Sequence, residues 1–146
     1  MRPTWAGDLK LIDTSVFIYA QGRPHPYRDS CLALVRKVAD VPSDYTIDAE
    51  LLQEVLHVYS VRGERPVALR TFDRLLTLFP DPIVIQREEM VLARNLLERH
   101  QGLSSRDAIH AAVVLTQGLE GIITTDRVFG QIQSLVAYDP RELATG

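Results

Sequence analysis

The chain has 146 residues, 46% hydrophobic and 24% charged, with a formal net charge of -3 at pH 7. That length suits one domain whose core removes roughly two thirds of the unfolded surface from water, and the composition excludes long disorder. A single cysteine, Cys31, excludes an internal disulfide and a cysteine-rich zinc cage, and its place on a helical stripe with Leu34, Val35 and Val38 reads as core. No stretch is apolar for long enough to span a bilayer and residues 1–8 carry no apolar leader core, so a cytoplasmic protein with no membrane contact is expected.

The first element is a short apolar run, residues 9–12, which reads as a strand and stops at a carboxylate, Asp13. Residues 16–20 read as a short helix that Gly22, Pro24 and Pro26 interrupt, and residues 27–39 as a second helix broken by Pro42. Residues 45–47 form a short strand, followed by a strongly apolar helix over 48–61 with Asp48 placed as its N-cap. Beyond Gly63 and Pro66, Leu69, Phe72, Leu75, Leu76 and Phe79 recur at helical spacing, which predicts an amphipathic helix over 67–79 ended by Pro80 and Pro82.

The β-branched run 83–85 predicts a strand, and Met90, Val91, Ala93, Leu96 and Leu97 a helix over 88–100 closed by Gly102. Ser104 or Ser105 starts an alanine-rich helix over 107–117. Residues 122–124 form the next strand, with Asp126 just beyond its end. Residues 135–137 predict a last edge strand, and 140–146 a tail. Strands alternating with helices predict an α/β fold in which a central parallel sheet of four to five strands is flanked by helices on both faces.

Ligands of such folds bind outside the carboxyl ends of the strands, where Asp13 and Asp126 stand. Helices add two further candidates: Glu54, flanked by Leu51, Leu52, Val55 and Leu56, and Asp107, in a first helical turn. Gathered carboxylates repel one another and recruit a cation, and oxygen ligands of this kind suit magnesium, with manganese able to replace it. A cation so held supports hydrolysis of a phosphodiester. The histidines His25, His57, His100 and His110 form no His-Glu-x-x-His zinc pattern.

Each acid also has a purely structural reading. Asp13 caps the following helix, Asp107 with Ser104 forms a capping box, Asp126 is a turn aspartate, and Glu50 competes with Glu54 one turn away. Positive charge for a nucleic acid is concentrated in Arg62, Arg65, Arg70 and Arg74; Arg70 and Arg74 share one side of their helix, which reads equally as a solvated face. Arg106, beside Asp107, is the nearer candidate for a phosphate contact.

In sequence the chain resembles PIN domains, and among them the VapC toxins of prokaryotic toxin-antitoxin pairs. The resemblance is carried by Ile12-Asp13-Thr14-Ser15 with Tyr19-Ala20, by Leu52-Gln53-Glu54-Val55, by Ser105-Arg106-Asp107-Ala108 and by Thr124-Thr125-Asp126 with Phe129. It implies a single three-layer domain over 1–146, with an N-terminal extension at 1–8, and a magnesium-dependent endoribonuclease that inhibits translation and growth. It further implies a catalytic quartet of Asp13, Glu54, Asp107 and Asp126, in which Asp13, Asp107 and Asp126 hold metal and Glu54 positions metal or the attacking water. Ser15 and Thr124 take the accessory hydroxyl positions. A homodimer, an RNA substrate and an inhibitory VapB-type antitoxin complete the expectation.

Three alternatives stand beside it. A phosphoaspartyl enzyme needs a late lysine, and the only lysines are Lys10 and Lys37. A non-catalytic PIN-like module would carry its acidic cluster at an electrostatic cost. A PIN nuclease of RNA processing shares the same motifs.

Overall fold

The computed structural model describes residues 7–144. Four short strands, β1 (Lys10–Ile12), β2 (Tyr45–Thr46), β3 (Gly121–Ile123) and β4 (Ala137–Tyr138), form one sheet in the order β2-β1-β3-β4, and every pairing is parallel. Seven α-helices join and cover them: α1 (Thr14–Ala20), α2 (Arg28–Asp40), α3 (Ala49–Val61), α4 (Arg65–Leu78), α5 (Arg87–Arg99), α6 (Ser105–Gln117) and α7 (Pro140–Ala144).

A parallel sheet needs crossovers, and these bury both of its faces. Adjacent residues on a strand therefore enter different cores. Leu11 of β1 and Ile122 of β3 pack with α5 and α6, while Ile12 and Ile123 pack with α1, α2, α3 and α4. The alanines of α6 let that helix lie close against its neighbours, with Ala108, Ala111 and Ala112 fully buried. Cys31 is a core residue as read, and burial pushes its thiol up to about 12.

Local signals explain most boundaries. Asp48 caps α3 by accepting from the Leu51 N–H at 3.0 Å, and Ser104 caps α6 by accepting from the Asp107 N–H at 3.1 Å. Gly118 ends α6 with φ +63°, the left-handed conformation that glycine adopts without a Cβ clash. Pro66 falls in the first turn of α4, where its missing N–H costs nothing, so that helix starts earlier than the periodicity predicts.

Four expectations need correction. The run 83–85 is not a strand: only Ile83 bridges, to Asp48, because Pro82 precedes it and Gln86 already caps α5, leaving Val84 66% exposed. Of the expected stripe of α4, Leu75 and Phe79 are buried and Leu69 is 54% exposed, because the contact with α3 turns Ala68 and Thr71 inward beside Leu75. The final strand falls at Ala137–Tyr138, later than residues 135–137, since it must lie level with Ile122 and Ile123. The tail is partly ordered as α7, packed on α2. Of the expected extension, residues 1–6 lie outside the described residues, as do 145–146 of the tail.

Gly121 admits β4 to the sheet. A Cβ there would lie 2.4 Å from the Val136 carbonyl oxygen, which accepts the Ile122 N–H of the β3 ladder. We expect Gly121→Ala to lower stability in urea unfolding by about 1–3 kcal/mol through overpacking. Gly130→Ala, where a Cβ meets nothing within 4 Å, should leave the midpoint nearly unchanged.

Candidate active site

The central pair of strands fixes the site. The Asp13 N–H donates to the Ile123 carbonyl at 2.9 Å, extending the β1–β3 ladder by one residue and leaving the Asp13 side chain at the carboxyl edge of the sheet. Asp13 occupies the N-cap position of α1, yet its carboxylate makes no capping bond. Instead its Oδ2 accepts from Thr124 Oγ1 at 2.7 Å and from Ser15 Oγ at 3.1 Å. Burial raises the Asp13 pKa, and Glu54 adds to the rise; His110, Thr124 and Ser15 oppose it.

Thr124 also joins Asp13 to Asp126. The hydroxyl that donates to Asp13 accepts from the Asp126 N–H at 3.0 Å. One Asp126 oxygen accepts from the Val128 N–H, so the turn reading holds for that atom, while the residue stays exposed at the mouth of the cleft. The capping reading of Asp107 holds for its backbone in the same way, because it is the Asp107 N–H that bonds Ser104.

Glu54 and Asp107 come from α3 and α6, which meet over a fully buried histidine. His110 Nδ1 donates to Asp48 Oδ2 at 2.7 Å and His110 Nε2 donates to Glu54 Oε1 at 2.8 Å; Asp13 Oδ1 lies 3.7 Å from the same Nε2. With a carboxylate on each ring nitrogen, both nitrogens act as donors, which is the imidazolium form. Burial alone would depress the His110 pKa, but the charge and hydrogen bonds of Asp48, the hydrogen bond of Glu54 and the charge of Asp13 hold it well above its ordinary value. Sequence reasoning saw Asp48 only as a cap and His110 only as a failed zinc ligand. The available signal was a lone imidazole among the alanines and valines of α6, which has to find buried partners.

Asp13, Glu54, Asp107 and Asp126, contributed by four separate segments, line one cavity of about 670 Å³ together with Ser15 and Arg106. Of the two acids that α3 offers, Glu54 lines the cavity and Glu50 does not. Arg70 and Arg74 are exposed on α4 and do not line it either. Tyr19, Tyr27, Arg127 and Arg141 do, and the sequence reading passed over them as cavity residues. The Asp107 carboxyl is pushed up to about 6, first by burial, then by the like charges of Asp13 and Asp126.

Such a donor set fits a hard divalent cation. It consists of carboxylate oxygens whose mutual repulsion a positive charge would relieve. Among the described residues no three of these side chains close into a ready cage, so an ion here would keep waters or substrate oxygens in its shell, as magnesium does. No helix among the described residues is long and apolar enough to cross a membrane.

Comparison with known proteins gives the family and the fold. The family model described as PIN domain matches residues 10–135. A VapC ribonuclease of Mycobacterium bovis is 30% identical over 119 residues, covering 82% of this chain and 91% of that protein. Ribonuclease VapC7 of Mycobacterium tuberculosis is 31% identical over 134 residues, covering 89% and 90%. Among solved structures, FitAcB from Neisseria gonorrhoeae superposes with TM-score 0.71 at 16% identity, covering 90% of this chain and 97% of that one. A toxin-antitoxin complex from Klebsiella pneumoniae superposes with TM-score 0.64 at 22% identity, covering 90% and 97%. The parallel sheet, the acids at its carboxyl edge and the match over most of the chain lead to one assignment: this protein belongs to the PIN domain family, in its VapC group.

Proposed function

We propose that this protein is a magnesium-dependent endoribonuclease, with manganese able to substitute, and the toxin of a toxin-antitoxin pair acting in the cytoplasm. The observation that carries the reading is the convergence of four acids from four segments on one cavity, rimmed by Arg106. The relatives named as VapC ribonucleases give it the reaction class.

In this reading Asp13, Asp107 and Asp126 hold the cation. The chemistry such an ion supplies is neutralisation of phosphate charge and easier deprotonation of an attacking water. Thr124 and Ser15 hold Asp13 at a fixed angle, so the carboxylate does not have to reorganise when substrate arrives. His110 holds Glu54 by Oε1, and Glu54 orients the water that adds to phosphorus as one P–O bond breaks. Arg106 meets a phosphate of the RNA.

The arginines that line the cavity, Arg106, Arg127 and Arg141, also suit an acidic segment of a VapB-type antitoxin, which would close the site by occupying it. A homodimer has a surface to use. Leu51, Val55 and Tyr59 of α3 are core, whereas Val84, Met90, Val91 and Leu97 on and before α5 are exposed.

Asp107→Asn is expected to retain the circular dichroism of the wild type and to lower RNA cleavage by about 100-fold or more. Cleavage of total RNA with magnesium, and with chelator as control, reads this directly. Near wild-type activity in the variant would rule out the quartet assignment.

Stability gives an independent check. A carboxyl whose folded pKa lies above its unfolded value adds stability that is full below the unfolded pKa and is lost as pH rises through the folded one. Asp107, raised from 3.8 to about 6, therefore makes the metal-free wild type lose stability between about pH 4 and 6. Thermal melts should show Asp107→Asn gaining on the wild type across that window and standing above it at neutral pH. Adding magnesium or manganese should raise the wild-type Tm more than that of the variant, because the ion binds the folded state.

A further inference from the structure

Beside the acidic cavity the chain groups three aromatic rings, two of them stacked and the third alongside. Tyr19 and His25 stack with centroids 4.2 Å apart, and Tyr27 lies 6.0 Å from Tyr19 and 6.2 Å from His25, with no interplanar angle above 24°. From the mutual distances the third ring sits beside the stacked pair instead of continuing the column. Tyr27 is fixed on its far side, its hydroxyl donating to Asp139 at 2.8 Å and the Arg141 guanidinium lying over its face. His25 is exposed between Pro24 and Pro26, and its Nδ1 accepts the Tyr27 N–H at 3.1 Å, which sets the ring orientation and puts the proton on Nε2.

The position of these rings is what gives them a use. Tyr19 lines the acidic cavity and also a second cavity of about 840 Å³, which His25, Arg23 and Arg62 line as well. The ring cluster is therefore the step between the two, with the four acids beside Arg106, Arg127 and Arg141 on one side and Arg23, Arg62 and Glu64 on the other. A strand with one phosphate at the acids and the next nucleotides in the second cavity has to cross it. Every nucleobase offers a flat π-face, and stacking on aromatic side chains is how unpaired bases are held whatever their sequence.

The geometry points to Tyr19 and His25 as a stacking platform for an unpaired nucleobase next to the cleaved bond, with Arg23 and Arg62 holding the adjoining phosphates. This rests on the endoribonuclease reading. The base it holds has to be unpaired, since bases inside a duplex have no free face.

Anisotropy of a fluorescein-labelled 12-nucleotide oligoadenylate, with chelator present to prevent cleavage, tests the platform. An oligomer of the same length lacking its bases is the comparison. Tyr19→Leu and His25→Ala should weaken the oligoadenylate by roughly 10- to 100-fold and leave the base-free strand unchanged. Tyr19→Phe, which keeps the ring, should recover most of what Tyr19→Leu loses. The magnesium-induced rise in Tm should persist in both loss variants, which shows that the acids are intact. Equal losses for the two oligomers, or unchanged RNA affinity with a loss confined to antitoxin binding, would overturn the platform. Wild-type protein that shifts with magnesium yet neither binds nor cleaves RNA would overturn the nuclease reading and the platform with it, whereas cleavage at wild-type KM by His25→Ala and Tyr19→Leu would overturn the platform alone.

Discussion

His110, buried against three carboxylates, is the constraint on which the site depends. It joins α6 to α3 through Glu54 and to the N-cap of α3 through Asp48, with Asp13 at the end of β1 beside it. Burying charges costs several kcal/mol per ion, and only well-made hydrogen bonds offset it; losing one partner of such a group typically costs about 3–5 kcal/mol because the others stay buried and unpaired. The imidazolium therefore holds its surroundings in place, whatever it adds to net stability. It also gathers three acidic side chains about one ring, and two of them, Asp13 and Glu54, line the cavity.

The cavity stands where the sheet order places it. With β1 and β3 adjacent at the centre of β2-β1-β3-β4 and all strands parallel, the residues just after each strand emerge at one edge. Asp13 follows β1, while Thr124 and Asp126 follow β3, so register alone brings the hydroxyl to the first carboxylate and the N–H of the second to the hydroxyl. Strands of two or three residues suffice because their faces are covered by helices and the ladder continues through Asp13 and Thr124. Gly121 belongs to the same constraint, for β4 approaches β3 where a side chain would stand in its path.

The sequence made some of this legible and hid the rest for physical reasons. Asp13, Asp107 and Asp126 were readable because each sits at a boundary marked by a local signal: an apolar run that stops, a serine cap, a second apolar run. Glu54 was readable as a carboxylate without polar relief. The pairing of Asp48 with His110 was not, since it joins residues 62 apart and each had a local explanation that satisfied the pattern. Residues 83–85 misled because β-branched composition reports a preference for extended chain, and only an available neighbour turns extended chain into a strand. The stripe on α4 misled because periodicity marks an apolar arc broader than the contact that uses it, and tertiary packing picks the part that is covered. Arg70 and Arg74 shared a helix side as expected, but which cavity a helix faces is a matter of chain path.

The four acids divide into a fixed half and an adaptable half. Asp13 and Glu54 are buried and tied by side-chain hydrogen bonds to Thr124, Ser15 and His110. Asp107 and Asp126 are more exposed; the Asp107 N–H bonds Ser104 and an Asp126 oxygen caps a turn, and beyond its burial the Asp107 carboxyl feels the like charges of Asp13 and Asp126. Repulsion therefore falls on the pair free to respond to it. A cation would draw these two onto a frame already set by the other two, and a proton on Asp107 is the alternative relief when no cation is present. Burial and the like charges beside it together hold the Asp107 pKa up, and in the proposed reading a bound cation would relieve the same repulsion, so removing that carboxylate charge would stabilise the fold and disable the proposed site together.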